Sequence, residues 1–262
     1  MSNEPLEQGT PVEGTPDGSA SAENALPAQE NPAGYVVNPE KKETIEVGGV
    51  EYRRLCIKTH VITDADDIVE VVDRYASPLI QDGDIVFITE KAVACTQKRA
   101  IPIDQIHPRP LARFLSRFVL RTPYGIGLAM PETMEMALQE CGTIRILFAA
   151  AVSAVGKLFG IRGWFYNIAG YKARSIDGPC SFTLPPYNHY VVLGPDKPDE
   201  VASQISKKIG APVAITDIND LEGQILGASD KGMDRDLLCK ILKDNPLGQC
   251  SEQTPMGIIR RV

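Results

Sequence analysis

Two hydrophobic runs in this 262-residue chain end in side chains that could do chemistry. The first, Ile85 to Ile88, leads into Thr89-Glu90-Lys91, with Gln97 and Arg99 beyond. The second, Val213 to Ile215, leads into Thr216-Asp217, with Asn219, Asp220 and Glu222 close behind. In mixed α/β folds ligands gather outside the carboxyl ends of parallel strands, because loops and helix N-termini converge there. Carboxylates directly after an apolar strand are the hard-oxygen arrangement that magnesium or manganese prefers, and both ions usually share their other positions with substrate phosphates. Asp217 to Asp220 would also suit a turn cap, and spacing alone leaves the two readings open. Asp177, in the turn-like Ser175-Ile-Asp-Gly-Pro179, is a third candidate, although Asp in such a turn more often bonds the backbone. Lys91, Arg99, Lys172 and Arg174 could receive a phosphate or a carboxylate, against the common alternative of a solvated surface cation. His60, His107 and His189 show no metal-ligand spacing.

The motifs that are missing narrow the chemistry further. Gly156-Lys157 lacks the upstream glycine and the hydroxyl residue of a phosphate loop. No Gly-x-Gly-x-x-Gly follows a strand, and neither His-Glu-x-x-His nor Gly-x-Ser-x-Gly occurs. Twenty-seven Lys and Arg against 34 Asp and Glu give a net charge of -7, which argues against a broad nucleic-acid surface. Six scattered cysteines without a Cys-x-x-Cys pair read as free thiols in a reducing compartment. The N-terminus has no secretory pattern, and the longest apolar stretch, Ile146 to Gly156, is too short to cross a bilayer. A cytoplasmic protein with no membrane and no nucleic-acid partner is expected.

The elements that must hold these residues can be read from periodicity. Residues 1–42 are rich in Pro, Gly, Ser, Ala, Asn and Glu, which predicts a disordered acidic tail, with folding from Glu43. Helices are predicted at Thr63 to Leu79, with Thr63 as cap, at Arg109 to Leu120, and from Pro131 to a stop near Gly142. Ile144 to Val155 is apolar all round and reads as a buried helix or a strand running into one. Gly156 to Pro186, with its glycines, aromatics and cations, reads as a long functional loop. Further on, a strand at Tyr190 to Leu193, a helix at Asp199 to Ile209 and a strand at Val213 to Thr216 suggest a right-handed parallel crossover. A helix at Asp234 to Leu242 and a strand at Met256 to Ile259 close the chain. The class is α/β in the mixed α+β sense, a mixed sheet with flanking helices.

The ordered stretches resemble a known family. Gly83-Asp-Ile-Val-Phe-Ile-Thr-Glu-Lys-Ala-Val-Ala94, with Arg99 beyond it, is similar to the Gly-Asp-hydrophobic-Ser/Thr-x-Lys segment of the gamma-glutamyl ligases that act on the deazaflavin coenzyme F-420. Ser175-Ile-Asp177 resembles their Gly-Ile-Asp segment. Val191 to Asp196, followed by a helix and Ala214-Ile-Thr-Asp217, resembles their leucine-rich strand, helix and Ser-Asp-Thr segment. The likeness runs from about Glu46 to the C-terminus and departs at Ile218 to Ser229, at Gly156 to Tyr171 and at Pro185 to Tyr190. It implies a gamma-glutamyl ligase-like fold in residues 43–262, a homodimer, and a GTP- or ATP-dependent ligase adding L-glutamate to a carboxylate of a deazaflavin- or folate-type acceptor through an acyl phosphate. By the same likeness Asp177 and Asp217 would hold magnesium or manganese, and in the stretch that departs from the family Asn219, Asp220 and Gln224 could stand in as replacements in the metal shell. By the likeness Lys91 and Arg99 would act on the phosphate or acceptor; Arg174, by its charge, and Asn219, in the departing stretch, are further binding candidates. The resemblance gives Glu90 no role. A non-catalytic nucleotide- or metabolite-binding protein on the same scaffold is the alternative, and an interaction protein working through its acidic tail is a third.

Overall fold

The structure, a computed structural model, describes residues 34–119, 127–160, 163–181, 183–219, 223–248 and 250–262. The predicted tail lies outside the described residues as far as position 33, but its last part is packed. Val36 pairs with Cys56, and the buried Asn38 amide donates to the Pro246 carbonyl at 2.9 Å and the Thr254 hydroxyl at 2.8 Å. The folded region therefore reaches back past Glu43, held by hydrogen bonds to a distant loop that local composition does not register.

Strands β1 (Thr44–Val47) and β2 (Val50–Ile57) form a hairpin around Gly48-Gly49. Both glycines have positive φ, +62° and +79°, as a tight two-residue hairpin turn requires. Helix α1 (Ile68–Ala76), strand β3 (Ile85–Thr89), helix α2 (Glu90–Thr96) and strand β4 (Ala100–Pro102) follow. Next come α3 (Pro110–Leu115), α4 (Pro131–Glu140), α5 (Thr143–Leu158), α6 (Trp164–Ala169), α7 (Tyr171–Arg174), and strand β5 (Tyr190–Val192). Helix α8 (Pro198–Ile209), strands β6 (Val213–Ile218) and β7 (Gly223–Ala228), helix α9 (Arg235–Ile241) and strand β8 (Met256–Arg261) complete the order.

The main sheet is mixed, in the order β1-β2-β8-β3-β6-β7; β3 and β6 run parallel and the other neighbours antiparallel. Its centre is buried on both faces, and side chains alternate between them. Val86, Ile88, Val213, Ile215 and Ile258 pack under α1 and α8, whereas Phe87, Ala214 and Ile259 pack under α9. A second core, built from α3 to α7 with β4 and β5, contains Leu128, Met134, Leu138, Ile146, Ile176 and Val191. The mixed α/β class read from the sequence is the class observed.

Several local expectations are corrected. The first helix starts at Ile68, because Asp67 rather than Thr63 caps it, accepting from the Val69 and Glu70 amides; Thr63 instead donates to Asp66 in the preceding turn. The proposed crossover is not one: β5 pairs with β4 in a separate two-stranded sheet, and the parallel neighbour of β6 is β3. Residues expected as one long loop contain α6 and α7. Helix α5 is buried only along Ile146, Ala149 and Gly156, leaving Ile144, Phe148, Val155 and Leu158 exposed. Phe114 and Phe118 are also exposed. Among the described residues no single helix is long and apolar enough to cross a membrane; α4 and α5 pass that test only as a pair bent by 116°.

Candidate active site

The parallel register pairs Thr89 with Thr216, so β3 and β6 end side by side and deliver Glu90 and Asp217 to the same end of the sheet. Thr89 is extended and its hydroxyl accepts from the Ala92 amide, capping α2 and turning the chain into a helix. Glu90 is thus in the first turn of α2, with only 5 % of its surface exposed. Asp217 lies in β6 opposite Gln224 of β7, just beyond the strand end predicted at Thr216. Asp177 arrives from the second core: its amide and carbonyl both bond Val192 at 2.9 Å, which fixes it beside β5.

Lys91 Nζ contacts Asp177 Oδ2 at 2.5 Å, with both side chains about half exposed. The Asp177 carboxylate, with Glu90 and Asp217 adding to it, holds the Lys91 ammonium above its ordinary range despite some burial. The Tyr171 hydroxyl donates to Glu90 Oε2 at 2.7 Å. Burial first, and the negative charge of Asp217 next, push the Glu90 carboxyl up to about 8; Lys91 and the Tyr171 hydrogen bond oppose this. Tyr171 is in turn held protonated by its own burial and by the Glu90 charge. The structure therefore brings Lys91, Asp177 and Asp217 together, and adds Glu90 and Tyr171. Thr89, a capping residue directly before Glu-Lys-Ala-Val-Ala, was the available signal that Glu90 opens a helix and faces inward.

The remaining candidates are distributed as follows. Arg174 is exposed and lines a cleft of about 380 Å³ with Tyr166, Asn167, Tyr171 and Gln224. Because Gln224 is the strand partner of Asp217, this cleft opens beside the acidic residues. Asn219 follows β6 directly, and Asp220 lies outside the described residues. Arg99 is engaged in a different way. Its Nε donates to the Gly194 carbonyl at 2.5 Å and its Nη2 to Glu140 at 2.8 Å, and both charged side chains are mostly buried.

The donor set fits a hard divalent cation by its chemistry. Glu90, Asp177 and Asp217 are all oxygen donors; burial, and after it the charge of Asp217, raises the Glu90 carboxyl, while Lys91 opposes the rise. Among the described residues no three such side chains already surround one point. Magnesium needs only one or two carboxylates when substrate phosphates complete its shell.

The family model described as F420-0:gamma-glutamyl ligase matches residues 56–232. The coenzyme F420:L-glutamate ligase of Methanopyrus kandleri (strain AV19) is 24% identical over 232 residues, covering 76% of this chain and 82% of that protein. The matched segment contains Lys91, Asp177, Asp217 and Glu90 and more than half of the chain, and by that match the chain belongs to the F420-0:gamma-glutamyl ligase family, a divergent member of a family of glutamate ligases.

Proposed function

We propose that the chain is a metal-dependent ligase that uses GTP or ATP to join L-glutamate, or a similar amino acid, to a carboxylate of a deazaflavin- or folate-type acceptor. The observation that carries this reading is the convergence of Asp177, Asp217 and Glu90 around Lys91 at the carboxyl ends of β3 and β6. A carboxylate is a poor electrophile until activated. The terminal phosphoryl group moves from the nucleotide to the acceptor carboxylate, releasing the nucleoside diphosphate. The amino nitrogen then forms the C–N bond, the acyl C–O bond breaks, inorganic phosphate leaves and the amine loses a proton. Asp177 and Asp217 would hold the cation, which when bound would neutralise charge on the phosphate oxygens. Lys91, anchored by Asp177 and kept charged, supplies a second positive group for the transferred phosphoryl. The cleft lined by Arg174 and Gln224 offers room for the nucleotide or acceptor. No covalent protein nucleophile is needed.

The exposed apolar side of α5, with Ile144, Phe148, Val155 and Leu158 at helical spacing, is the face through which a second copy would pair, giving a homodimer. Six free cysteines favour a reducing, cytoplasmic setting.

Calorimetry with GTP and ATP, with and without manganese, on wild type and Asp217→Ala tests the site. Metal-dependent nucleotide binding is expected for wild type and is expected to be lost in the variant with the fold intact. Acceptor-dependent phosphate release and a glutamate-sized mass gain on the acceptor complete the case. Absence of nucleotide binding under every metal condition would remove it, and binding without acceptor-dependent phosphate release would leave a binding protein on the same scaffold.

A further inference from the structure

Adjoining the cleft lined by Arg174 and Gln224 is a second cavity of about 350 Å³, whose lining includes Glu140, Arg145, Gly170, Tyr171 and Lys172. Gly170 and Tyr171 line both spaces, so they form the wall between them. The cavity's charge is unbalanced. Glu140 is paired with Arg99, which lies outside the lining, at 2.8 Å and approached by Lys172 at 3.5 Å, so once Arg99 balances Glu140 the lining cations Arg145 and Lys172 leave two positive charges in excess. Arg145 is held in place from behind: its Nε donates to the Ile168 carbonyl at 2.7 Å. Its guanidinium also lies against Gly170, where an added Cβ would sit 2.8 Å from Nη2. A fixed guanidinium and a nearby ammonium, with an excess of two charges, match a small molecule bearing two carboxylates.

We propose that this cavity is the subsite for the acidic amino acid, with Arg145 and Lys172 receiving its two carboxylates and the Gly170-Tyr171 wall turning its amino group toward Glu90 and Asp217. The assignment rests on the ligase reading and adds to it where glutamate is held and why an amino acid without a second carboxylate is rejected. Tyr171 joins the two spaces physically, since its ring lines the cavity and its hydroxyl reaches Glu90 at 2.7 Å.

The test is binding of L-glutamate and L-glutamine to wild type, Arg145→Gln and Lys172→Met, by calorimetry with GTP and magnesium present. Nucleotide affinity is measured separately on each protein. Arg145 and Lys172 are exposed, and thermal melting confirms that each variant keeps its fold. The subsite is supported if wild type prefers glutamate by tenfold or more, each variant loses tenfold or more in glutamate affinity, and nucleotide affinity stays unchanged. It is overturned if wild type binds no glutamate, if the variants bind it as wild type does, or if nucleotide affinity falls instead, which would make the cavity a phosphate site. Intact nucleotide binding with unaltered glutamate affinity in the variants would sink the subsite and leave the ligase reading standing. Failure of that reading would show as loss of nucleotide binding in wild type, and the glutamate measurements would still decide the cavity.

Discussion

Tyr171 and Glu90, far apart in sequence, meet through a 2.7 Å hydrogen bond in which the phenol donates to a carboxyl with 5 % of its surface exposed. This contact joins the short helix α7 of the second core to the end of the main sheet. It also sets the protonation of the site, because Glu90 holds its proton up to about 8 against an ordinary 4.5. The unfolded chain releases that proton near the ordinary value and the folded chain keeps it, so the stability it contributes is full below about 4.5 and is lost as pH rises to 8. In chelator, wild type should lose stability across that window, on the order of 3–5 kcal/mol at most. Glu90→Gln keeps the shape and an acceptor for Tyr171 but has no proton to lose. Its denaturant midpoint should match wild type near pH 5 and exceed it near pH 8.5; parallel pH profiles for the two proteins would refute the assignment.

Asp217 offers a second handle on the same proton. After burial, its charge is the largest cause of the raised Glu90 value, so Asp217→Asn should move Glu90 back toward the ordinary carboxyl range. A carbon-13 titration of the Glu90 carboxyl reads this directly. The same variant should lose metal-dependent nucleotide affinity by tenfold or more. A Glu90 value that does not respond would place Asp217 too far away to share a cation with it.

Close backbone approach sets a third expectation, at Gly227 of β7. A Cβ there would lie 2.4 Å from the Pro198 carbonyl carbon and 2.5 Å from its oxygen, at the start of α8. Neither atom belongs to a flexible side chain, so Gly227→Ala must push α8 away from the sheet. A loss of about 2–3 kcal/mol is expected from this overpacking, checked by urea denaturation. An unchanged midpoint would mean that the helix shifts at little cost.

How much of this was legible in the sequence depended on whether the signal was local. The central strands β3, β6 and β8 announce themselves as apolar runs because both of their faces are buried. Helix α8 is marked by Val201, Ile205 and Ile209 on one face and by Gly210 as its terminator. The hairpin β1-β2, an edge pair with charged Glu46, Glu51, Arg53 and Arg54, shows no such run, although the buried Arg54 side chain, which bonds the Ile241 and Lys42 carbonyls and Asp244, is among its main anchors. Lys91, Asp177 and Asp217 were identified through ordered similarity to a family, since nothing in their spacing tells that they meet. Glu90 was passed over because its importance comes from burial, and Tyr171 because it reaches the site from another core. Both properties arise only once the chain is folded.

Arg99 is the residue for which the geometry offers a positioning role beside the one the resemblance implies. Resemblance places it with Lys91 at the phosphate or acceptor, yet its guanidinium already serves the Gly194 carbonyl and the Glu140 carboxylate. Removing it would leave a mostly buried carboxylate with only Lys172 at 3.5 Å, and a carbonyl without its donor. If its work is positioning, Arg99→Ala should cost about 2–4 kcal/mol of stability. Its KM for glutamate should rise more than its KM for nucleotide, because Glu140 and Lys172 line the amino-acid cavity. Arg99→Lys should restore little, since a lysine cannot make the two divergent bonds of the guanidinium. If Arg99 instead touches the transferred phosphoryl group, melting temperature should hold while kcat falls by a hundredfold or more. Measuring the melting temperature, both KM values and kcat on the same two variants tells the roles apart.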